Sequence, residues 1–328
     1  MSAPAVSDFS VPPGRKWPIA ILAALGAASA AVFGVPPAIA LVAGAVLALV
    51  LGNPLAPTTG RVAQWILKIA VMGLGAGIHL DVVLSVGARS FGSTAVTILA
   101  TLAAGMWLAR RLGLSRELSV LISAGTAICG GSAIAAIAAV IKPKADDTAI
   151  ALSVVFLLNA LALLIFPPLG AALGFSQHQF GVWAALAIHD TSSVVGAALT
   201  YGREAAEVAT TTKLVRALWI APVAMLIAWW WNRGRATGPK GARFPVPGFI
   251  LGFLVVAALF TYCAPLAPWR AGITDLARRL FASTLFLIGL GFSRQALRHA
   301  GLRPVLFAVC LWLAVSVATA AALSAGWL

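Results

Sequence analysis

The sequence predicts an all-α polytopic membrane protein of about eleven transmembrane helices, built as an inverted repeat with two broken helices. Three observations carry this. Hydrophobic residues make up 61% of the chain and charged residues only 10%, against about 25% charged in a soluble domain. Mean hydropathy is +0.99, and the apolar segments follow one another without a gap large enough for a soluble domain. Two of those segments are interrupted at mid-length by glycine and polar residues.

About 20 apolar residues cross the ~30 Å of hydrocarbon. On that measure spans are expected at 17–34, 36–52, 62–80, 91–109, 118–141, 148–170, 179–201, 209–231, 247–263, 274–291 and 303–327. Residues 1–16 are expected to form a cytoplasmic N-terminal tail and 17–328 a single transmembrane transporter domain. The run from Trp17 lacks a small-residue cleavage site and is read as a retained span. Turn chemistry marks several boundaries: Pro36 and Pro37, Asn53 with Pro54, Pro143 between Lys142 and Lys144, and Pro245 with Pro247. Trp229, Trp230 and Trp231 end the eighth span as an interfacial aromatic belt.

The formal charge of +14 comes from Lys and Arg scattered through short connections, such as Arg110, Arg111 and Arg116, Arg233 to Arg243, and Arg294 to Arg303. That distribution suits anionic lipid headgroups and the positive-inside bias, and it excludes a nucleic-acid partner, which calls for a concentrated basic face. A mild excess on the N-terminal side places the N-terminus in the cytoplasm, with a multi-pass location in the cell (inner) membrane. The stretch Arg203–Arg216 is basic on the opposing side. Cys129, Cys263 and Cys310 lack CxxC or Cys/His spacing, so neither a disulfide framework nor a metal site is expected. No cofactor motif is present either.

The third span carries Gly73, Leu74 and Gly75 near its end. The tenth carries Gly289, Leu290 and Gly291 in the same place. Seven spans apart, they run in opposite directions, as inverted-topology repeats of secondary transporters do.

The chemistry concentrates at the two interruptions. The first, Gly125 to Ala136, centres on Gly130, Gly131 and Ser132, with Thr126 nearby. A helix broken there offers the N–H groups and positive dipole end of its second half to an anion. Small-residue packing is the competing explanation. The second holds His189, Asp190, Thr191, Ser192 and Ser193 between apolar flanks. A carboxylate costs roughly 2.5–3.5 kcal/mol at mid-bilayer on insertion scales, so Asp190 marks bound substrate, ion or proton. In a continuous helix His189, Ser192, Ser193 and Gly196 share one face. Helix-to-helix hydrogen bonding is the alternative for the hydroxyls alone. Lys213 and Arg216, three apart at the start of the eighth span, serve either to draw an anion to the same cavity or to snorkel to headgroups. His79 and Asp81 are interfacial, and Asp146 and Asp147 suit a helix N-terminus. Hydrolase and nucleotide-binding motifs are absent, and His189, Asp190 and Ser193 cannot align as a triad within one helix. No enzymatic activity is expected.

Both long motifs, with Gly52, Asn53 and Pro54 and with Lys213, Leu214, Val215, Arg216 and Trp219, resemble the YeiH family (UPF0324), whose alternative name describes a sulfate exporter family. The resemblance runs from about Gly34 to the end. It implies a fold grouped with cation/proton antiporters and bile-acid symporters, in which two broken helices cross near the midplane, a core bundle moves against a scaffold, and homodimers are common. The expected function is a secondary active transporter exporting a small anion such as sulfite, sulfate or an organic sulfonate, coupled to H+ or Na+. A cation/proton antiporter using Asp190 is the alternative within transport. An intramembrane enzyme or sensory subunit is the alternative outside it.

Overall fold

The computed structural model describes residues 24–30, 32, 34–53, 55–231, 248–291 and 301–327. The expected tail at 1–16, the start of the first span, and the basic residues Arg233, Arg235, Lys240, Arg243, Arg294 and Arg298 lie outside them. Among the described residues the secondary structure is entirely helical, with thirteen α-helices. They are α1 (Pro37–Leu51), α2 (Ala56–Leu74), α3 (Leu80–Leu112), α4 (Arg116–Ala127), α5 (Gly131–Ile141), α6 (Ala145–Ala172), α7 (Gln177–Ala187), α8 (Thr191–Tyr201), α9 (Arg203–Leu218), α10 (Ile220–Trp231), α11 (Gly248–Tyr262), α12 (Arg270–Gly289) and α13 (Leu302–Ser324).

By length and composition, α3, α6, the α9–α10 unit and α13 are each able to cross a membrane alone. The bent pair α11 and α12, hinged by 112° across a 3-10 turn, is a fifth candidate. The chain is a multi-pass membrane protein.

Two of the expected spans are built differently. Segments 118–141 and 179–201 break where the sequence indicated, at Ile128–Gly130 and Ile188–Asp190. Their halves do not continue across, as crossing helices would. They fold back. Tyr201, at the end of α8, donates its hydroxyl to Phe175 O at 2.5 Å, and its ring stacks on Phe180 at 3.8 Å. Gln177 Oε1, at the start of α7, accepts from Glu204 N at 3.0 Å. The start of α7 and the end of α8 therefore lie at one level, and α7–α8 is a re-entrant hairpin.

The pair α4–α5 is a second hairpin. A Cβ on Gly125 would come within 2.9 Å of Ile134 Cδ1, a contact that a continuous helix across nine residues cannot make. Glu117 at the start of α4 also interacts electrostatically with Asp147, just beyond α5. The halves are 11 or 12 residues long, about 16–18 Å at 1.5 Å per residue. Each hairpin thus reaches about half-depth in a ~30 Å core.

The two hairpins enter from opposite sides, because α6 runs the full depth between them. Its start adjoins the open end of the first hairpin and its end adjoins that of the second. Local sequence explains the entry points. Ser115 caps α4 by accepting from Leu118 N at 3.3 Å. Ser176 and Gln179 form a reciprocal capping box at α7, at 3.2 and 3.0 Å, which satisfies two otherwise orphaned donors.

The core holds three apolar clusters. One apolar cluster joins both hairpins, α6 and α13, through residues such as Ile122, Ile134, Val155, Phe166, Trp183 and Phe307. A second joins α2, α11 and α12 through Val71, Phe253, Ala257 and Phe281 and meets α8 and α9 at Val195, Leu214 and Ala217; a third joins α1, α2 and α12 through Ala48, Ala63 and Phe286. The third and tenth spans, α2 and α12, pack side by side: Gly73 lies against Ala277, and Gly289 lies against the α1 backbone at Leu41 and Gly44. Each Gly-Leu-Gly sits at the C-terminal end of its own helix, where the missing side chains permit these backbone approaches.

Candidate functional site

The hairpin tips meet. Gly130 adopts φ +63°, ψ −122°, a conformation open essentially to glycine alone. A Cβ there would stand 3.5 Å from His189 Cβ and 3.6 Å from Asp190 Cβ. The two polar motifs, some sixty residues apart in sequence, therefore form one site at mid-depth. Four helix ends converge on it: the C-termini of α4 and α7 and the N-termini of α5 and α8.

The C-terminal ends are occupied by α9. Lys213 Nζ donates to Ile128 O at 3.0 Å, Ile188 O at 2.7 Å and Ala185 O at 3.3 Å. Arg216 donates from Nε to Ala127 O at 2.7 Å, from Nη2 to Thr126 O at 3.4 Å, and from Nη1 to Ala185 O at 3.1 Å and to Leu186 O. Both side chains are fully buried. The carbonyls at a helix C-terminus have no intrahelical partner and carry the negative end of the dipole. Cations placed there satisfy both requirements. Lys213 and Arg216 are therefore neither an open approach for an anion nor snorkelling groups, as the sequence reading had it. They cap both hairpins at once.

The N-terminal ends differ from each other. Asp190 caps α8: its Oδ2 accepts from Ser192 N at 3.0 Å and from the Ser192 hydroxyl. Because α8 begins only at Thr191, His189 lies in the break and does not share a helical face with Ser192, Ser193 and Gly196. The start of α5 has no side-chain cap, and there Gly131 is half-buried and Ser132 exposed. Asp190 is also half-buried, whereas Thr126, His189, Thr191, Ser192 and Ser193 are buried. His189 has no hydrogen-bond partner at either ring nitrogen among the described residues, nor has Thr126 at its hydroxyl.

One residue escaped the sequence reading. Asn159, buried in the middle of α6, accepts Asp190 N at Oδ1 at 3.0 Å, and its Nδ2 is unpartnered. Its signal was present: it is the single amide in the 28-residue helix, set in the apolar run Val154 to Pro168, and intramembrane polar groups are costly enough to be functional by default. His79 and Asp81 stand at the far end of α2 and the start of α3, with Arg270 Nη1 at 2.9 Å from His79 Nε2 and no part in this site.

The family described as conserved hypothetical protein 698 matches residues 17–308. A UPF0324 membrane protein of Bdellovibrio bacteriovorus is 47% identical over 89% of this chain and 90% of its own length. One from Geobacter sulfurreducens is 44% identical over 88% and 91%, and one from Bacteroides thetaiotaomicron 41% over 88% and 86%. No solved structure matches. The matched region contains both hairpins and the helix that caps them, and the chain belongs to the UPF0324 family of membrane proteins.

Proposed function

We propose that this chain is a secondary active transporter of a small oxyanion, bound where the two hairpin tips meet. The observation that carries the reading is the uncapped N-terminus of α5 beside an excess of positive charge. A helix end counts as about half a charge, so the two C-termini and two N-termini cancel. Lys213 and Arg216 then outweigh Asp190 by one unit. A monoanion at the N–H groups of Gly131 and Ser132 restores the balance, and a helix N-terminus is suited to receive it. Ser132 and the free Asn159 amide add donors that an oxyanion needs and a bare cation does not. Sulfite, sulfate and organic sulfonates fit this chemistry.

Coupling would run through Asp190 and His189. A bound anion favours the protonated form of nearby groups, so anion and proton binding reinforce each other, as linkage requires. Alternating access would come from the hairpin body shifting against α1, α2, α11 and α12. Basic residues cluster on the side of the α3–α4 and α5–α6 connections, which a crossing span at 17–34 would make the N-terminal side. That bias supports a cytoplasmic N-terminus in the cell membrane.

Flux into proteoliposomes of sulfite, sulfate and methanesulfonate, with and without a proton or sodium gradient, tests the reading. Gradient-dependent movement of at least one anion is expected. Sodium- or proton-driven cation exchange with no anion flux would replace it with an antiporter using Asp190.

A further inference from the structure

A second basic feature lies away from the hairpin tips. Between α12 and the start of α9, at the side where the second hairpin enters, is a cavity of about 280 Å³ walled by Arg203, Asp275, Arg278 and Arg279, with Gly34 and Gly202 at its rim. A narrower space of about 20 Å³ adjoins it between α2 and α9, sharing Arg203 and Arg278 and reaching Glu207 and Thr210. The first has room for a hydrated oxyanion, the second for about one water. Thr210 is buried and stands one turn ahead of Lys213 on α9, so the pair of spaces points from the surface toward the hairpin tips and narrows on the way.

The charges in this vestibule do not cancel. Arg203 Nε lies 3.2 Å from Glu207 Oε1, and Arg279 Nε lies 2.7 Å from Asp275 Oδ2. Arg278 makes no ion pair or hydrogen bond among the described residues, and its Nε is sealed from solvent. The planar fork of arginine matches an oxyanion through two parallel bonds, and here only the solvent-reached part of the half-buried Arg278 guanidinium can offer them. The cavity wall therefore carries one positive charge without a partner among the described residues.

We propose that this vestibule is a binding site for a small oxyanion taken from water, with Arg278 as its principal contact and Arg203 as a second contact once it leaves Glu207. The inference deepens the transport reading by supplying an entry or exit station, but binding here does not depend on transport occurring.

The test is isothermal titration of the purified full chain with sodium sulfate in lipid-free detergent, then in phosphatidylcholine nanodiscs, with equal ionic strength held by sodium chloride. Saturable sulfate binding is expected in both, weakened at least tenfold by Arg278→Gln. Glu207→Gln, which releases Arg203 from its acid, should tighten binding, and this variant keeps the test decisive if Arg278→Gln does not fold. Several results overturn the proposal: no binding of sulfate by the wild type, affinity unchanged by Arg278→Gln, or affinity unchanged or weakened by Glu207→Gln. Binding that vanishes in nanodiscs also overturns it, by assigning the vestibule to a lipid phosphate. Intact vestibule binding in a protein that moves no anion would refute the transport reading and leave this site standing.

Discussion

Replacing Lys213 by Met removes the ammonium that joins the two hairpins while keeping most of the side-chain volume. Three carbonyls lose a donor, but Ala185 O retains Arg216 Nη1 at 3.1 Å. Ile128 O and Ile188 O, held at 3.0 and 2.7 Å by Lys213, are left without their side-chain partner. A buried acceptor so orphaned costs ~1–3 kcal/mol, which gives about 4 kcal/mol for the two. Relief of the desolvated ammonium acts in the other direction, so the net loss should fall nearer 3 kcal/mol. At ~2–4 °C per kcal/mol for a chain of this order of size, the melting midpoint should drop by roughly 6–12 °C. Tryptophan fluorescence during a thermal ramp in detergent reads it. Lys68→Met on α2, which removes only a cation lying 4.8 Å from the Trp65 ring, is the control; it should cost no more than ~0.5 kcal/mol and shift the midpoint by no more than ~2 °C. A Lys213→Met protein that unfolds together with the wild type would refute the capping role and return Lys213 to a dispensable charge.

Other perturbations separate structure from function. Gly130→Ala forces a side chain into φ +63°, at a cost of ~1–3 kcal/mol, so lower thermal stability is expected; an unchanged midpoint would mean that the break is not held in this conformation. Asp190→Asn keeps a good helix cap but removes the carboxylate, so the protein should fold while the proposed coupling is lost and anion flux no longer depends on pH; an unchanged pH profile would move coupling elsewhere. Ser132→Ala, on an exposed side chain, should leave the melting midpoint in place and raise the KM for anion; an unaltered KM would remove the hydroxyl from the site. Asn159→Leu deletes the acceptor of Asp190 N and should lower kcat at little expression cost, whereas Asn159→Asp, which retains that acceptor and loses the free donor, should mainly raise KM. Equal kinetics for the two variants would show that the free amide hydrogen has no role.

The breaks were legible because glycine and charge are costly in hydrocarbon: Gly130, His189 and Asp190 lie inside the breaks, and Gly131 opens the helix that follows the first. Their folding back was not. Two halves of 11 or 12 residues add up to the length of one ordinary span, so hydropathy alone cannot distinguish a crossing from a hairpin. The fold-back is decided at the ends, where Tyr201 finds Phe175 and Glu204 finds Gln177, and such pairings leave no periodic trace. The same limit explains Lys213 and Arg216. Spacing puts them on one face of α9, but whether that face meets headgroups, water or the ends of other helices depends on tertiary packing. Asn159 was readable in principle as a polar intruder in α6 and was outweighed by the richer motifs on either side.

A single helix capping two hairpins has a mechanical consequence. Lys213 bonds the tip of each hairpin, and so does Arg216, through Ala127 and Ala185. Separating the tips would break bonds from both cations in a medium that offers the carbonyls no replacement. The hairpins and α9 are thereby held as one unit, tied further by Trp183 Nε1 to Ser316 O and Trp312 Nε1 to Ala187 O at 3.0 and 3.1 Å, which join the second hairpin to α13. Against α1, α2 and α12 the contacts are of another kind, made largely by alanine, glycine and aliphatic side chains, which carry no hydrogen bonds to be lost on sliding. Among the described residues, hydrogen bonds concentrated within the hairpin unit, with none between it and α1, α2 or α12, favour rigid displacement over local opening. For a transporter, that arrangement would move the anion together with its site, and the tips would not need to part.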